Sequence, residues 1–134
     1  MLTLLRQLFG IEEDFVFDAL RQKKGLELLL DSSSSIIMVA EEKGAVIGMG
    51  TAQLVISTSE GGASLLVEDV VVKPSWQNRG IGSKLLQALG DWGAIRGARR
   101  QQLLADQANS PALRFYNQVG WQRTQLICLR KYKR

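Results

Sequence analysis

The chain has 134 residues, a formal net charge of +4, and 46% hydrophobic and 22% charged residues. That length fits one globular domain burying roughly two-thirds of its unfolded surface, and the composition excludes disordered and collagen-like classes. Histidine is absent, which excludes imidazole-based catalysis, Ser-His-Asp and Cys-His hydrolases, and most zinc sites.

One cysteine, Cys128, permits no internal disulfide and points to a reducing, cytoplasmic setting. No apolar run reaches the ~18 residues of a membrane span, so no membrane partner is expected. The start at Met1–Arg6 lacks the basic region and cleavage site of a secretory signal. The positive charge suits an anionic ligand and a nucleic acid equally.

Residues 2–9 read as a helix, with Leu2, Leu5, Leu8 and Phe9 on one side and Gly10 as its stop. A second helix is predicted over Phe15–Leu30, using Phe15, Ala19, Leu26 and Leu30 and weakened at Gly25. After a loop at Asp31–Ser35, Ile36–Ala40 reads as a strand, Glu41–Gly44 as a turn and Ala45–Ser57 as a second strand. The polar stretch 57–62 is either a hairpin tip or a surface loop carrying substrate contacts, with Glu60 offering charge to a cationic amine.

Leu65–Lys73 is the strongest strand, valine-rich with one acidic pair, Glu68-Asp69, and ended by Pro74. A helix follows over Ile81–Arg96, with Ile81, Leu85, Leu89 and Trp92 along one face. Gln101–Asp106 reads as a buried strand. Ser110 and Pro111 then supply an N-cap and a first-turn proline for a helix whose inner face is Ala112, Phe115, Tyr116 and Val119. Gly120 closes it, Trp121–Leu129 is predicted as a last strand, and Arg130–Arg134 is a basic tail. This order gives an α/β fold, a mixed sheet with helices on its faces.

The segment Gln77-Asn78-Arg79-Gly80-Ile81-Gly82-Ser83-Lys84 joins a strand to a helix. Glycines at 80 and 82 let backbone approach a ligand, and the first helix amides have no intrahelical partner. With the helix dipole and the charges of Arg79 and Lys84, this is an anion site suited to a pyrophosphate. A Rossmann fingerprint needs a third glycine where Leu85 stands, and a P-loop needs Gly-Lys-Ser/Thr where the order here is Gly-Ser-Lys. The pattern Gln/Arg-x-x-Gly-x-Gly/Ala after a valine-rich strand fits at every position.

Three pieces now stand in order: Val67–Val72, Gln77–Gly82, and Asn109-x-x-Ala112-x-x-x-Tyr116-x-x-x-Gly120-Trp121. Together they resemble the GNAT superfamily of acetyltransferases over about residues 65–121. The upstream Val46-Ile47-Gly48 region is similar to the family's second and third strands. The resemblance implies a central mixed, mostly antiparallel twisted sheet flanked by helices, and acetyl-CoA as co-substrate. It implies that the backbone of Val70, Val71 and Val72 pairs with the pantetheine arm as an added strand. Gln77, Asn78, Arg79, Gly80, Ile81, Gly82 and Ser83 would hold the pyrophosphate, and Asn109 and Ala112 would line the pantetheine arm.

The implied reaction is direct transfer to a primary amine of a small molecule or peptide, with no acyl-enzyme. Tyr116 is the candidate acid for the leaving sulfur, or else a half-buried aromatic with a wet hydroxyl. The backbone N–H near Val70 is the oxyanion donor. Glu68 is the candidate base through water, or equally a structural acid bonded to backbone or an arginine, while strand alternation sends Asp69 to the opposite face. Some family members carry an acid five residues before the asparagine, where this chain has Leu104; Asp106 is a weaker substitute.

Trp76, Trp92 and Trp121 read as packing residues and Cys128 as an ordinary small apolar one. No metal ligand set is found. The family usually begins with a strand before its first helix, so either the first edge strand is missing or the start of the sequence lies late. The open edge would then invite a homodimer. Two other readings remain beside the enzyme: a non-catalytic CoA- or protein-binding module, and a basic nucleic-acid-binding domain resting on charge alone.

Overall fold

The computed structural model describes residues 1–11 and 17–133, and Ile11 only in its backbone. The chain divides into two compact units, Met1–Leu103 and Leu104–Arg134. The first holds helices α1 (Leu2–Ile11), α2 (Ala19–Asp31) and α3 (Ile81–Ile95) and strands β1 (Ser35–Glu42), β2 (Ala45–Ser57), β3 (Gly62–Val72) and β4 (Gln101–Leu103). The second holds α4 (Ser110–Gln118).

The four strands form one sheet in sequence order. β1 pairs antiparallel with β2, β2 antiparallel with β3, and β3 parallel with β4. This is the mixed, mostly antiparallel sheet that the sequence predicts. Each antiparallel pair is joined by a short turn, and the parallel step is made by the α3 crossover, as a parallel connection requires.

Helices cover both faces. Leu4 and Leu5 of α1 and Leu26 of α2 are buried in one cluster with Met49 and Val71. On the other face α3 lies close to the sheet because glycines stand beneath it. A Cβ on Gly50 would lie 2.9 Å from Leu89 Cδ1, and one on Gly48 3.2 Å from Leu85 Cδ1. Leu85, Leu86, Leu89, Trp92 and Gly93 are the buried residues of α3, so the predicted apolar stripe is the packed one.

Leu89 is wholly buried. Its truncation leaves a void that glycine neighbours cannot fill by rotating side chains inward. Leu89→Ala is therefore expected to cost about 2–5 kcal/mol. The check is the urea midpoint of the purified chain, with the denaturant slope unchanged.

Several boundaries differ from expectation, each for a local reason. The apolar face of α1 includes Leu4, 1% exposed, which a stripe through Leu2, Leu5, Leu8 and Phe9 omits. On α2 the buried residue is Leu26, whereas Ala19 and Leu30 are exposed; Phe15 lies outside the described residues. The helix continues through Gly25 because Asp18 caps its first turn, accepting from Arg21 N at 3.3 Å. Strand β4 stops at Leu103, with Gln101 and Gln102 exposed and Leu104 58% exposed, so the buried run to Asp106 is not formed.

The N-cap of α4 is Asn109, not Ser110: its Oδ1 accepts from Ala112 N at 3.2 Å. Asparagine caps as well as serine, and its longer side chain reaches the third helical amide. Gly120 closes α4 as predicted, at φ +97. Trp121 N–H donates to Tyr116 O at 2.9 Å and Gly120 N–H to Asn117 O at 3.2 Å. That pair of bonds is a Schellman motif, and its usual apolar contact is the edge packing of Trp121 on Tyr116, ring centroids 6.1 Å apart. Val119, expected on the inner face, is the C-cap and exposed.

Residues 121–129 form no strand. Leu126, Ile127 and Leu129 are 80%, 73% and 86% exposed, and their unit contains no described strand with which a ladder could form. An apolar, β-prone sequence becomes a strand only when another backbone receives its hydrogen bonds.

Candidate active site

The phosphate-type turn is built as its glycines demand. After β3, Pro74–Trp76 makes one 3-10 turn, and Gln77 Nε2 folds back onto Val72 O at 3.0 Å. Asn78 and Gly80 both take left-handed backbone, at φ +62 and +80. Gly80 is the N-cap of α3 and, having no side chain, makes no side-chain cap bond to the amides of the first turn. The residues from Gln77 to Gly80 are exposed. Arg79 lies with Cζ 4.8 Å from the Trp76 ring centroid, a stacking that holds the guanidinium beside the turn. Trp76 is thus a platform for a cation more than a core residue.

The strand leading into this turn has an uncovered edge. Lys73 N–H donates to Ile47 O at 2.8 Å. Alternation therefore directs the N–H and C=O groups of Val72, and of Val70 two residues earlier, away from β2. β4 covers that side only at Leu65–Val67, so among the described residues no strand covers Val70–Val72. Val72 O is met there by two side-chain amides, Gln77 Nε2 and Gln7 Nε2 of α1, the latter at 2.9 Å. Val71 turns its side chain into the core.

The acidic pair lies where β2 and β3 fall out of register. Met49 opposes Val71 but Thr51 opposes Glu68, so two residues of β3, Asp69 and Val70, face the single Gly50. This is a β-bulge, and Asp69 occupies it with φ +54. The extra residue shifts the alternation. Val70 keeps company with Gly50 and Leu89 toward α3, and Asp69 joins Glu68 on the side of α1 and α2. Both carboxyls line a cleft of about 380 Å³ with Thr51, Gln53, Leu26 and Arg21. The expectation that Asp69 faces away from Glu68 is corrected by the bulge, which a single extended strand does not reveal.

Burial raises the Asp69 carboxyl above its ordinary value, opposed by the hydrogen bond from Thr51. Thr51 Oγ1 lies 3.2 Å from Asp69 Oδ2 and 3.2 Å from Glu68 O. Thr51 had a legible signal, being the one hydroxyl in the apolar run Ile47–Ala52. Gln7 and Arg21 had none, since their roles depend on where α1 and α2 dock.

Glu60, considered for a cationic amine, is paired instead with Arg100 at 3.6 Å. Trp92 is buried, with Arg96 Cζ 4.3 Å from its ring centroid. In the second unit Asn109, Ala112 and Tyr116 fall at helical spacings of three and four, along one side of α4. All three are half-buried. Cys128 is exposed. Among the described residues no group of three or more Cys, Asp or Glu side chains could hold a metal ion, and no helix is long and apolar enough to cross a membrane.

A family model described as an acetyltransferase (GNAT) domain matches residues 33–123. The uncharacterized N-acetyltransferase YhfO of Bacillus subtilis (strain 168) is 29% identical over 97 residues, which is 72% of this chain. The chain spans 65% of that relative's length. Among solved structures, the aminoglycoside N-acetyltransferase AAC(6')-Iy in complex with CoA superposes with a TM-score of 0.83 at 18% identity. That match covers 98% of this chain and 86% of the other. A transcriptional regulator from Bacillus halodurans C-125 matches with a TM-score of 0.83 and 18% identity, over 98% of this chain and 93% of its own. At such identities the likeness is one of fold. The family model covers most of the chain, and the valine-rich strand, glycine turn and helix fall inside it in order: this protein belongs to the GNAT acetyltransferase family.

Proposed function

We propose that the chain is an acetyl-CoA-dependent N-acetyltransferase that moves an acetyl group directly to a primary amine of a small molecule or peptide. The observation that carries this reading is the turn at Gly80. It presents helix amides that the glycine cap leaves without a side-chain bond of its own, at the end of a strand whose outer edge, among the described residues, a strand covers only at Leu65–Val67. Those are the two backbone surfaces a pyrophosphate joined to an amide-bearing arm requires.

Acetyl-CoA supplies an acyl thioester, and every other part of the chemistry falls to the chain. The backbone of Val70, Val71 and Val72 binds the arm as an added strand, and the amides from Gln77 to Ser83 hold the pyrophosphate, with the Arg79 charge beside them. Asn109 spends its Oδ1 on the cap of α4, which leaves its side-chain NH₂ to donate to the arm, alongside Ala112. The Val70 N–H is the oxyanion donor, Tyr116 Oη the proton donor, and Glu68 the carboxylate that accepts the amine proton through water.

A second reading, a CoA-binding module without turnover, draws on Leu104. That residue stands where some family members carry an acid. Calorimetric titration with acetyl-CoA, with NADH and ATP as controls, tests the site. Micromolar binding of acetyl-CoA alone is expected, followed by turnover in a panel of amines. Absence of binding to folded protein overturns the proposal. Binding with no turnover in any amine leaves the module.

A further inference from the structure

The cleft that holds Glu68 has two kinds of polar lining, and their difference selects among amines. Strand β3 supplies the carboxyls of Glu68 and Asp69, which attract an ammonium group. Helix α2 supplies donors instead. Arg21 brings guanidinium N–H groups and no acceptor. Gln22 spends its Oε1 on the backbone N–H of Asp18, which leaves its NH₂ to donate. Asp18 caps α2 through Arg21 N and is not among the lining residues.

Among the described residues no ion pair joins Arg21 to Glu68 or Asp69, although all three line one cleft of about 380 Å³. A cation and two acids left unjoined in so small a space suit a ligand that carries both signs. Much of the remaining lining is apolar. Leu5 and Phe9 come from α1 and Leu26 and Leu29 from α2, with Leu5 and Leu26 buried. A hydrocarbon or aromatic group gains by covering them. The volume stands near the bottom of the roughly 300–1,000 Å³ range that takes drug-sized ligands, so one ring or one branched chain fills it.

We propose that the acceptor is a small amphoteric amine with an apolar body, in its simplest form an apolar amino acid. Its ammonium meets Glu68 and Asp69, and its carboxylate meets Arg21 and Gln22. The inference rests on the acetyltransferase reading above. In the transfer the ammonium gives up two protons: one ends on the CoA sulfur and the other in solvent. The C–N bond forms as the C–S bond breaks, leaving an N-acetyl amino acid and free CoA. A polycation is disfavoured by the same lining, because a second positive charge in so small a space falls beside Arg21.

Titration of the full chain with three probes is the first test, and it needs no acetyl transfer. L-phenylalanine carries all three features, 2-phenylethylamine is the same molecule without its carboxylate, and spermidine is a polycation. L-phenylalanine should bind about tenfold or more tighter than 2-phenylethylamine, as a charge-assisted hydrogen bond gives, and tighter than spermidine. Arg21→Gln should erase that preference, and Arg21→Glu should reverse it. Arg21 is exposed, so neither change disturbs the fold. Equal binding of L-phenylalanine and 2-phenylethylamine, tighter binding of spermidine, or a preference that survives Arg21→Glu would overturn the proposal. So would binding of none of the three.

Acetylation of the same probes is the second test, with L-phenylalanine expected to show the highest kcat/KM. Selective, Arg21-dependent binding of L-phenylalanine with none of the three acetylated would sink the acetyltransferase reading and leave the ligand class standing. Faster acetylation of spermidine or 2-phenylethylamine would do the reverse.

Discussion

Gly80→Asp is expected to abolish acetyl-CoA binding, by about 100-fold or more in affinity, while the protein stays folded. The fold survives because a Cβ at Gly80 meets nothing within 4 Å, and aspartate is among the residues that accept left-handed backbone at modest cost. Binding is lost for two reasons. The new carboxylate sits at the N-cap, where it satisfies the first-turn amides from within. It also places a full negative charge against the pyrophosphate, worth several kcal/mol at contact distance and the effective dielectric of a protein surface. Calorimetry with acetyl-CoA, paired with a thermal melt of the variant, measures both halves. Unchanged affinity would remove the turn as the anion site.

Tyr116→Phe tests the chemistry rather than the binding. Removing one hydroxyl takes away a proton donor and leaves the ring, its edge contact with Trp121 and its tilted contact with Phe115. If Tyr116 is the acid, kcat should fall by about 10²–10⁴, and the affinity for acetyl-CoA should change little. The two are separated by steady-state rates and direct titration. Equal rates for the two proteins would reduce Tyr116 to a packing residue of α4.

The parts of the fold legible in the sequence are those whose cause is local. The valine run, its termination at Pro74, the glycines at 80 and 82 and the Leu85–Leu89–Trp92 stripe each declare themselves within a few residues. So does the end of α4, where Gly120 takes the left-handed closing position at no steric cost. What was not legible depends on partners distant in sequence. The bulge at Asp69 is a mismatch between β2 and β3, invisible to any reading of β3 alone. It overturned the alternation that would have separated the two acids. The strand expected over residues 121–129 has the right residues and no ladder, and Gln7 reaches Val72 across 65 positions only because α1 docks on the sheet.

The order of the strands has a kinetic consequence. Because β1, β2 and β3 neighbour one another in sequence order, the antiparallel part of the sheet can zip together through two short loops. Each closure forfeits little chain entropy. The pairing of β3 with β4 must instead wait for the whole α3 segment to be threaded between them, and the Gln7–Val72 bond closes a loop nearly half the chain long. The uncovered edge at Val70–Val72 therefore belongs to the part of the sheet that zips first. The helix that reaches it from the start of the chain arrives afterwards, on an edge already formed.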